Sequence, residues 1–155
     1  MNFAEFPVDF GAIKVASQEA NVLQLSAESS FEHMEEFASL TEEAARQMDL
    51  SEEDESDLMI SVMEAINNAI QHGNSEDASK HVHLRIEIAP AKVTVLVRDE
   101  GGGFEPERIP DPTQPDNLLN SSGRGILMMK AFMDEVDFSP SESGLLVKMI
   151  KNYSP

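Results

Sequence analysis

Three short clusters have residue types that could do chemistry. The first is Glu64 to Asn74, EAINNAIQHGN, which places a carboxylate, two adjacent amides and a histidine in one predicted helix. Glu64 and Asn68 are four residues apart, so on a helix their side chains are neighbours. An amide carbonyl is a hard oxygen ligand that suits magnesium, which takes few protein ligands beside phosphate oxygens and water. A carboxylate next to it could accept a proton from a hydroxyl or a water. The competing reading is a solvated helix face, which is the commoner use of a polar stripe. Against it, this stripe is rich in amides, where Lys, Arg and Glu are the usual solvating choices.

The second cluster is VRDEGGGF. It sets Asp99 at the end of a strand, with Gly101, Gly102 and Gly103 directly after. Glycine lets backbone approach a ligand closely, and a carboxylate there could accept a hydrogen bond from an exocyclic amine such as that of adenine. A plain Asp-Gly turn would look the same. The third is SSGRGI, in which Gly123 and Gly125 flank Arg124 ahead of an apolar helix. Free N–H groups at a helix start make an anion site, although a serine-capped helix entry has the same composition. Neither glycine cluster has the spacing of a P-loop or of the dinucleotide fingerprint.

Regular elements must carry these clusters. Asn21 begins a short strand, NVLQLSA. Ser29 with Glu32 predicts a capped helix over 30–48, and Ser51 with Asp54 a second helix to His72, stopped by Gly73. On that second helix Met59, Val62, Met63, Ile66, Ala69 and Ile70 form the predicted core face, and Asp57, Ser61, Glu64, Asn68, Gln71 and His72 the polar stripe. HVHLRIEI and KVTVLVRD alternate as strands around an APAK turn. Residues 105–122 hold four prolines and no hydrophobic period, a pattern typical of a functional loop. A third helix, ILMMKAFM, is apolar on most sides and expected to be buried. A hairpin, EVDFS to LLVKMIK, closes the chain. Helices alternating with hairpin-like strands predict a two-layer α/β sandwich, with a mixed, mostly antiparallel sheet and helices on one face.

Composition narrows the function. The 155 residues carry a formal charge of −18, with 41% hydrophobic residues and eight phenylalanines. A folded globule is expected. Such acidity argues against holding nucleic acid or anionic lipid by bulk charge. The chain has no cysteine, which excludes disulfides and thiolate metal sites. Neither a signal peptide nor a spanning segment is evident, so a cytoplasmic protein is expected.

In order and spacing, Glu64-x-x-x-Asn68-x-x-x-His72-Gly73, Asp99-x-Gly101-x-Gly103 and Gly123-x-Gly125 together resemble the ATP-binding (Bergerat) fold shared by gyrase, a heat-shock chaperone, histidine kinases and mismatch-repair ATPases. The forms EAINNAIQHG and SGRGILMMKAFMDEV are most similar to the bacterial anti-sigma-factor serine/threonine kinases. The likeness covers residues 21–151 and leaves 1–20 as a tail or an extra strand outside a domain over 21–155. It implies that Asn68 holds Mg2+, Glu64 is the general base, and Asp99 reads the adenine amine of ATP. Gly101, Gly103, Gly123 and Gly125 would line the nucleotide, with Arg124 near the phosphates and 105–122 as the ATP lid. It implies an ATP-dependent kinase that binds a sigma factor and phosphorylates a serine on an anti-sigma-factor antagonist, as a homodimer. A non-catalytic ATP-binding switch module of the same fold is the alternative. Two positions depart from the pattern: Asn74 stands where an aromatic residue is usual, and Leu145 follows Gly144 where a threonine is.

Overall fold

The computed structural model describes residues 13–17, 21–101 and 121–154. Its six-stranded sheet runs in the order β1-β2-β3-β4-β6-β5. The strands are β1 Ile13–Ser17, β2 Val22–Glu28, β3 His81–Ala89, β4 Lys92–Arg98, β5 Glu135–Ser141 and β6 Gly144–Asn152. Every neighbouring pair is antiparallel, so the sheet is more uniform than the mixed one expected. The edge strand β1 pairs with β2 from Ile13 opposite Ser26 to Ser17 opposite Val22.

Side chains alternate between the two faces of a strand. On one face Leu23, Leu25, Val82, Leu84, Ile86, Val93, Val95, Val97, Val147 and Met149 form a continuous core with three helices. These are α1 Met34–Met48, α2 Glu52–Asn68 and α3 Ser121–Phe132. Each large apolar side chain so buried stabilises the fold by roughly 2 kcal/mol. The other sheet face is buried in part. Ser26, His83, Arg98, Leu96 and Leu146 are all buried there.

Local signals account for the helix starts. A single 3-10 turn, Phe31–His33, leads into α1, and its cap is Ser30, which accepts the Glu32 N–H at 3.2 Å. The sequence pattern had pointed to Ser29. Ser29 is instead buried, because it begins the turn off β2 and its backbone N–H donates to Lys80. Ser51 caps α2 as expected, accepting the Asp54 N–H at 3.1 Å, and four acids in its first turn suit the helix dipole.

Two helix faces differ from their sequence reading. Ser61, placed in the polar stripe, is fully buried with Leu58, Val62, Ala65 and Ile66, while Met59 and Met63 are only partly covered. The second packing partner explains this: α2 lies between α1 and α3, so its buried arc is wider than one helix-on-sheet stripe. Helix α3 is not buried all round. Ile126 and Met129 are buried, as is Met133 just past its end, but Leu127, Lys130 and Ala131 are exposed. Lys151 fixes α3 beside α2. Its Nζ donates to the Phe132 carbonyl at 2.9 Å and lies 3.5 Å from Asp54 and 3.6 Å from Asp57. That staple holds the end of α3 against the start of α2. Among the described residues no helix is long and apolar enough to cross a membrane.

Candidate functional site

Helix α2 ends in an irregular way. Its last turn widens into a π-helical turn, Ala69–Gly73, closed by the Asn74 N–H donating to the Ala69 carbonyl at 2.8 Å. Such single wide turns cluster at functional sites. Gly73 was expected to stop the helix. It has no positive φ; among the described residues Gly144 is the glycine that does, at 141°. The need at Gly73 is proximity. A Cβ there would lie 2.0 Å from Asp99 Oδ2, and one on Gly101 would lie 1.9 Å from the Gly73 carbonyl oxygen. The His72-Gly73 end of α2 and the Asp99-x-Gly101 turn after β4 are thus pressed together, backbone to side chain.

Asp99 is buried in this junction. Its Oδ1 accepts the backbone N–H groups of Gly101 and Leu145, each at 3.0 Å. Its Oδ2 lies against Gly73. Burial pushes the carboxyl above its ordinary range, and the two N–H donors only partly offset this. Residue 145 holds Asp99 through its backbone, because the Asp99 N–H also donates to the Leu145 carbonyl at 3.1 Å. The missing threonine hydroxyl leaves that clasp intact.

Glu64 and Asn68 meet the third cluster. A Cβ on Gly125 would lie 2.5 Å from Glu64 Oε2 and 3.7 Å from Asn68 Nδ2. Helix α3 therefore passes directly over the Glu64–Asn68 pair. Asn68 Oδ1 is buried and has no hydrogen-bond partner among the described residues. An orphaned carbonyl oxygen is costly, and a hard cation would satisfy it. Partial burial raises the Glu64 carboxyl above its usual range. The two glycines were expected ahead of the helix. Instead α3 starts at Ser121 and includes them, and Arg124 is exposed on it. Gly103 and nearly all of the segment 105–122 lie outside the described residues.

Gly125 makes the placement of Glu64 testable. In Gly125→Ala the new methyl meets the far end of a flexible carboxylate, so Glu64 swings aside and the backbone need not move. Alanine also favours a helix over glycine by about 1 kcal/mol. The variant should melt no lower than the parent, and any activity that needs the Glu64 carboxylate in place should fall by roughly ten- to hundredfold. A melting curve and a rate measured on the same sample check both.

A second set of residues, missed in the sequence, holds the junction from behind. Adjacent residues point to opposite sheet faces, so Glu100 emerges on the side away from Asp99. Its Oε1 accepts the His81 N–H at 2.7 Å, and its Oε2 lies 3.1 Å from His83 Nε2. His83 Nδ1 in turn is 2.7 Å from Ser26 Oγ. Asn74 is fully buried and bonds the backbones of His81 and Glu100. The available signal was the histidine pair at alternate positions of a strand otherwise apolar on its other face. Burial also raises the tendency of Glu100 to protonate, but its bonds to His83 and the His81 N–H outweigh that, and its carboxyl sits below the ordinary range.

His83 is held below its ordinary value of 6.5, first by burial. The unfolded chain therefore takes up a proton below pH 6.5 that the native chain refuses, and stability drops as pH falls. Replacing His83 by glutamine removes that contribution. The stability gap between parent and His83→Gln should narrow, or reverse, between pH 7 and pH 5.5, as read by urea unfolding.

The family described as histidine kinase-like ATPase domain matches residues 27–151. Anti-sigma F factor of Anoxybacillus flavithermus is 35% identical over 130 residues, covering 80% of this chain and 88% of that one. Serine-protein kinase RsbW of Bacillus subtilis is 34% identical over 101 residues, 61% of this chain and 62% of its own length. The crystal structure of RsbU and RsbW domains from Mycobacterium tuberculosis superposes with a TM-score of 0.64 at 16% identity, over 88% of this chain and 33% of that one. The catalytic domain of histidine kinase ThkA superposes at 0.55 with 17% identity, over 80% and 92%. At such identities these two structures speak for the fold alone. The family match over most of the length, with relatives above 30% identity, shows that the chain belongs to the histidine kinase-like ATPase domain family, on the branch of the anti-sigma-factor serine kinases.

Proposed function

We propose that the chain is a cytoplasmic ATP-dependent protein serine/threonine kinase that binds a sigma factor and phosphorylates a serine on the sigma factor's antagonist, working as a homodimer. The observation that carries this reading is the Glu64–Asn68–Gly125 contact, which sets a half-buried carboxylate beside an unsatisfied amide oxygen under α3. A module that only bound ATP would need no base at that point. The names of the relatives, serine-protein kinase and anti-sigma F factor, support both halves of the reading.

The chemistry is phosphoryl transfer, in which positioning and charge stabilisation dominate. Asp99 Oδ2 accepts the adenine amine and sets the base in place, with Gly101 beside it; the resemblance gives Gly103 the same task. Gly123, Arg124 and Gly125 lie toward the phosphates. Glu64 takes the proton of the attacking serine hydroxyl as its oxygen bonds the γ-phosphorus and the bond to the β–γ bridging oxygen breaks, releasing ADP. Its raised pKa makes it the stronger base. The lone amide oxygen of Asn68 would be one ligand of a magnesium ion otherwise held by the nucleotide's phosphates and water, and that ion would neutralise phosphate charge. Among the described residues there is no group of three or more metal-binding His, Asp or Glu side chains, in keeping with a metal held mostly by substrate.

The experiment is direct. The chain is mixed with γ-labelled ATP and an antagonist protein from the same cell, and retained proteins are identified at low and high salt. Label on an antagonist serine, and a sigma factor retained less well at high salt as the charge of −18 implies, are the expected results. A sigma factor bound without any labelled serine would replace the kinase with a nucleotide-dependent switch.

A further inference from the structure

We infer that Asn74 is a positioning residue for nucleotide recognition, aiming the Asp99 carboxylate through the backbone of Glu100. This rests on Asp99 being the acceptor of the adenine amine. Asn74 is completely buried, and every polar group that it directs inward is used on backbone. Its N–H closes the π turn on the Ala69 carbonyl at 2.8 Å. Its Nδ2 donates to the carbonyl of His81, the first residue of β3, at 3.0 Å, and its Oδ1 accepts the Glu100 N–H at 2.8 Å. One side chain thus joins the end of α2, the start of β3 and the peptide that leaves Asp99.

That last bond gives the residue its specific effect. The Asp99–Glu100 peptide can pivot about only a few anchors. In front, Gly101 and Leu145 hold Asp99 Oδ1. Behind, the Glu100 side chain is anchored on His81 and His83. Asn74 holds the peptide itself, and it directly follows Gly73, whose α-carbon sits against Asp99 Oδ2. It therefore sets two things at once: the orientation of the peptide after Asp99, and how closely Gly73 approaches the oxygen that meets the ligand. Loss of Oδ1 at position 74 frees the Glu100 N–H, and the peptide turns to find another acceptor. Oδ2 then points away from where an exocyclic amine would lie. The triphosphate end, held at Asn68 and α3, has no part in this bond network.

A pair of ligands separates aiming from mere folding. ATP and purine riboside triphosphate share the ring system and the phosphates, but the second lacks the 6-amino group. Their affinities are measured by calorimetry for the parent, Asn74→Ala, Asp99→Asn and the double variant. The parent should prefer ATP. Asn74→Ala should bind ATP about tenfold more weakly, the size of one misdirected hydrogen bond, and bind the amine-free nucleotide within about twofold of the parent. Adding Asn74→Ala to Asp99→Asn should cost ATP nothing further. Equal losses for both nucleotides, or an additive double variant, would overturn the inference and leave Asn74 a structural staple. A parent that binds both nucleotides alike would remove the Asp99 reading itself, and this inference with it. If Asn74→Ala does not fold, Asn74→Ser, which keeps a short polar group in the same space, is measured in its place. Failure of both to fold would assign Asn74 to stability alone and also overturn the inference.

Discussion

Glu64→Ala should bind ATP with the parent's affinity and transfer phosphate at least about a hundredfold more slowly, the range typical for loss of a positioned general base. The geometry separates the two effects. Glu64 sits under Gly125 with its carboxylate end facing α3 and is partly open to solvent, so removing it leaves no large cavity and no broken backbone contact. The neighbour four residues on should behave in the opposite way. Asn68→Ala removes a buried oxygen that has no partner among the described residues. Its fold should therefore be unharmed or slightly more stable, since an orphaned polar group is costly to bury. Its magnesium-dependent ATP affinity should collapse. Single-turnover transfer rates and ATP titrations with and without magnesium, run on both variants, give a two-by-two pattern. Equal transfer rates for Glu64→Ala and the parent would exclude the base.

The parts of this site that were legible in the sequence share one property: their signals are local or periodic. The Ser51–Asp54 cap, the alternation from Val82 to Ile88 and the spacing of Glu64 and Asn68 all follow from one-dimensional pattern, and each has its counterpart in the structure. What escaped was set by partners far along the chain. Asn74 bonds Glu100 and Ser26 bonds His83 across the fold, and no window of sequence contains both members. Ser61 looked solvated because its polarity was visible and the two helices that flank α2 were not. The glycines of α3 looked like a helix entry because glycine disfavours helix, and packing against α2 overrides that propensity. Gly73 was assigned a conformational role, whereas its close contact with Asp99 asks only for the absence of a side chain.

Asp99→Asn should lose ATP affinity by about a hundredfold and keep, or improve, its stability at neutral pH. The binding loss follows from which atom faces the ligand. Two backbone N–H groups require an oxygen at the Oδ1 position, so an asparagine keeps its carbonyl there and turns its NH2 group toward Gly73 and the ligand. A donor then meets the adenine amine, itself a donor, and a charge-assisted hydrogen bond is lost as well. The stability follows from linkage. Burial, as the leading cause, raises the Asp99 carboxyl above its ordinary 3.8. Between that value and the raised one the native chain binds more protons than the unfolded chain, so this group lowers stability as pH rises through the window. Above the window the cost is fully present in the parent and absent in the neutral asparagine. The melting temperature of Asp99→Asn should therefore match or exceed the parent's at pH 7. The difference should shrink as pH falls toward 4, where the parent's carboxyl takes up its proton. Calorimetric titration with ATP and thermal melts across that pH range measure both halves. Unchanged ATP affinity in the folded variant would remove Asp99 as the adenine reader. A variant that melts well below the parent at pH 7 would show that the carboxylate stabilises the Gly73–Gly101–Gly144 junction, and that burying its charge there carries no cost to the fold.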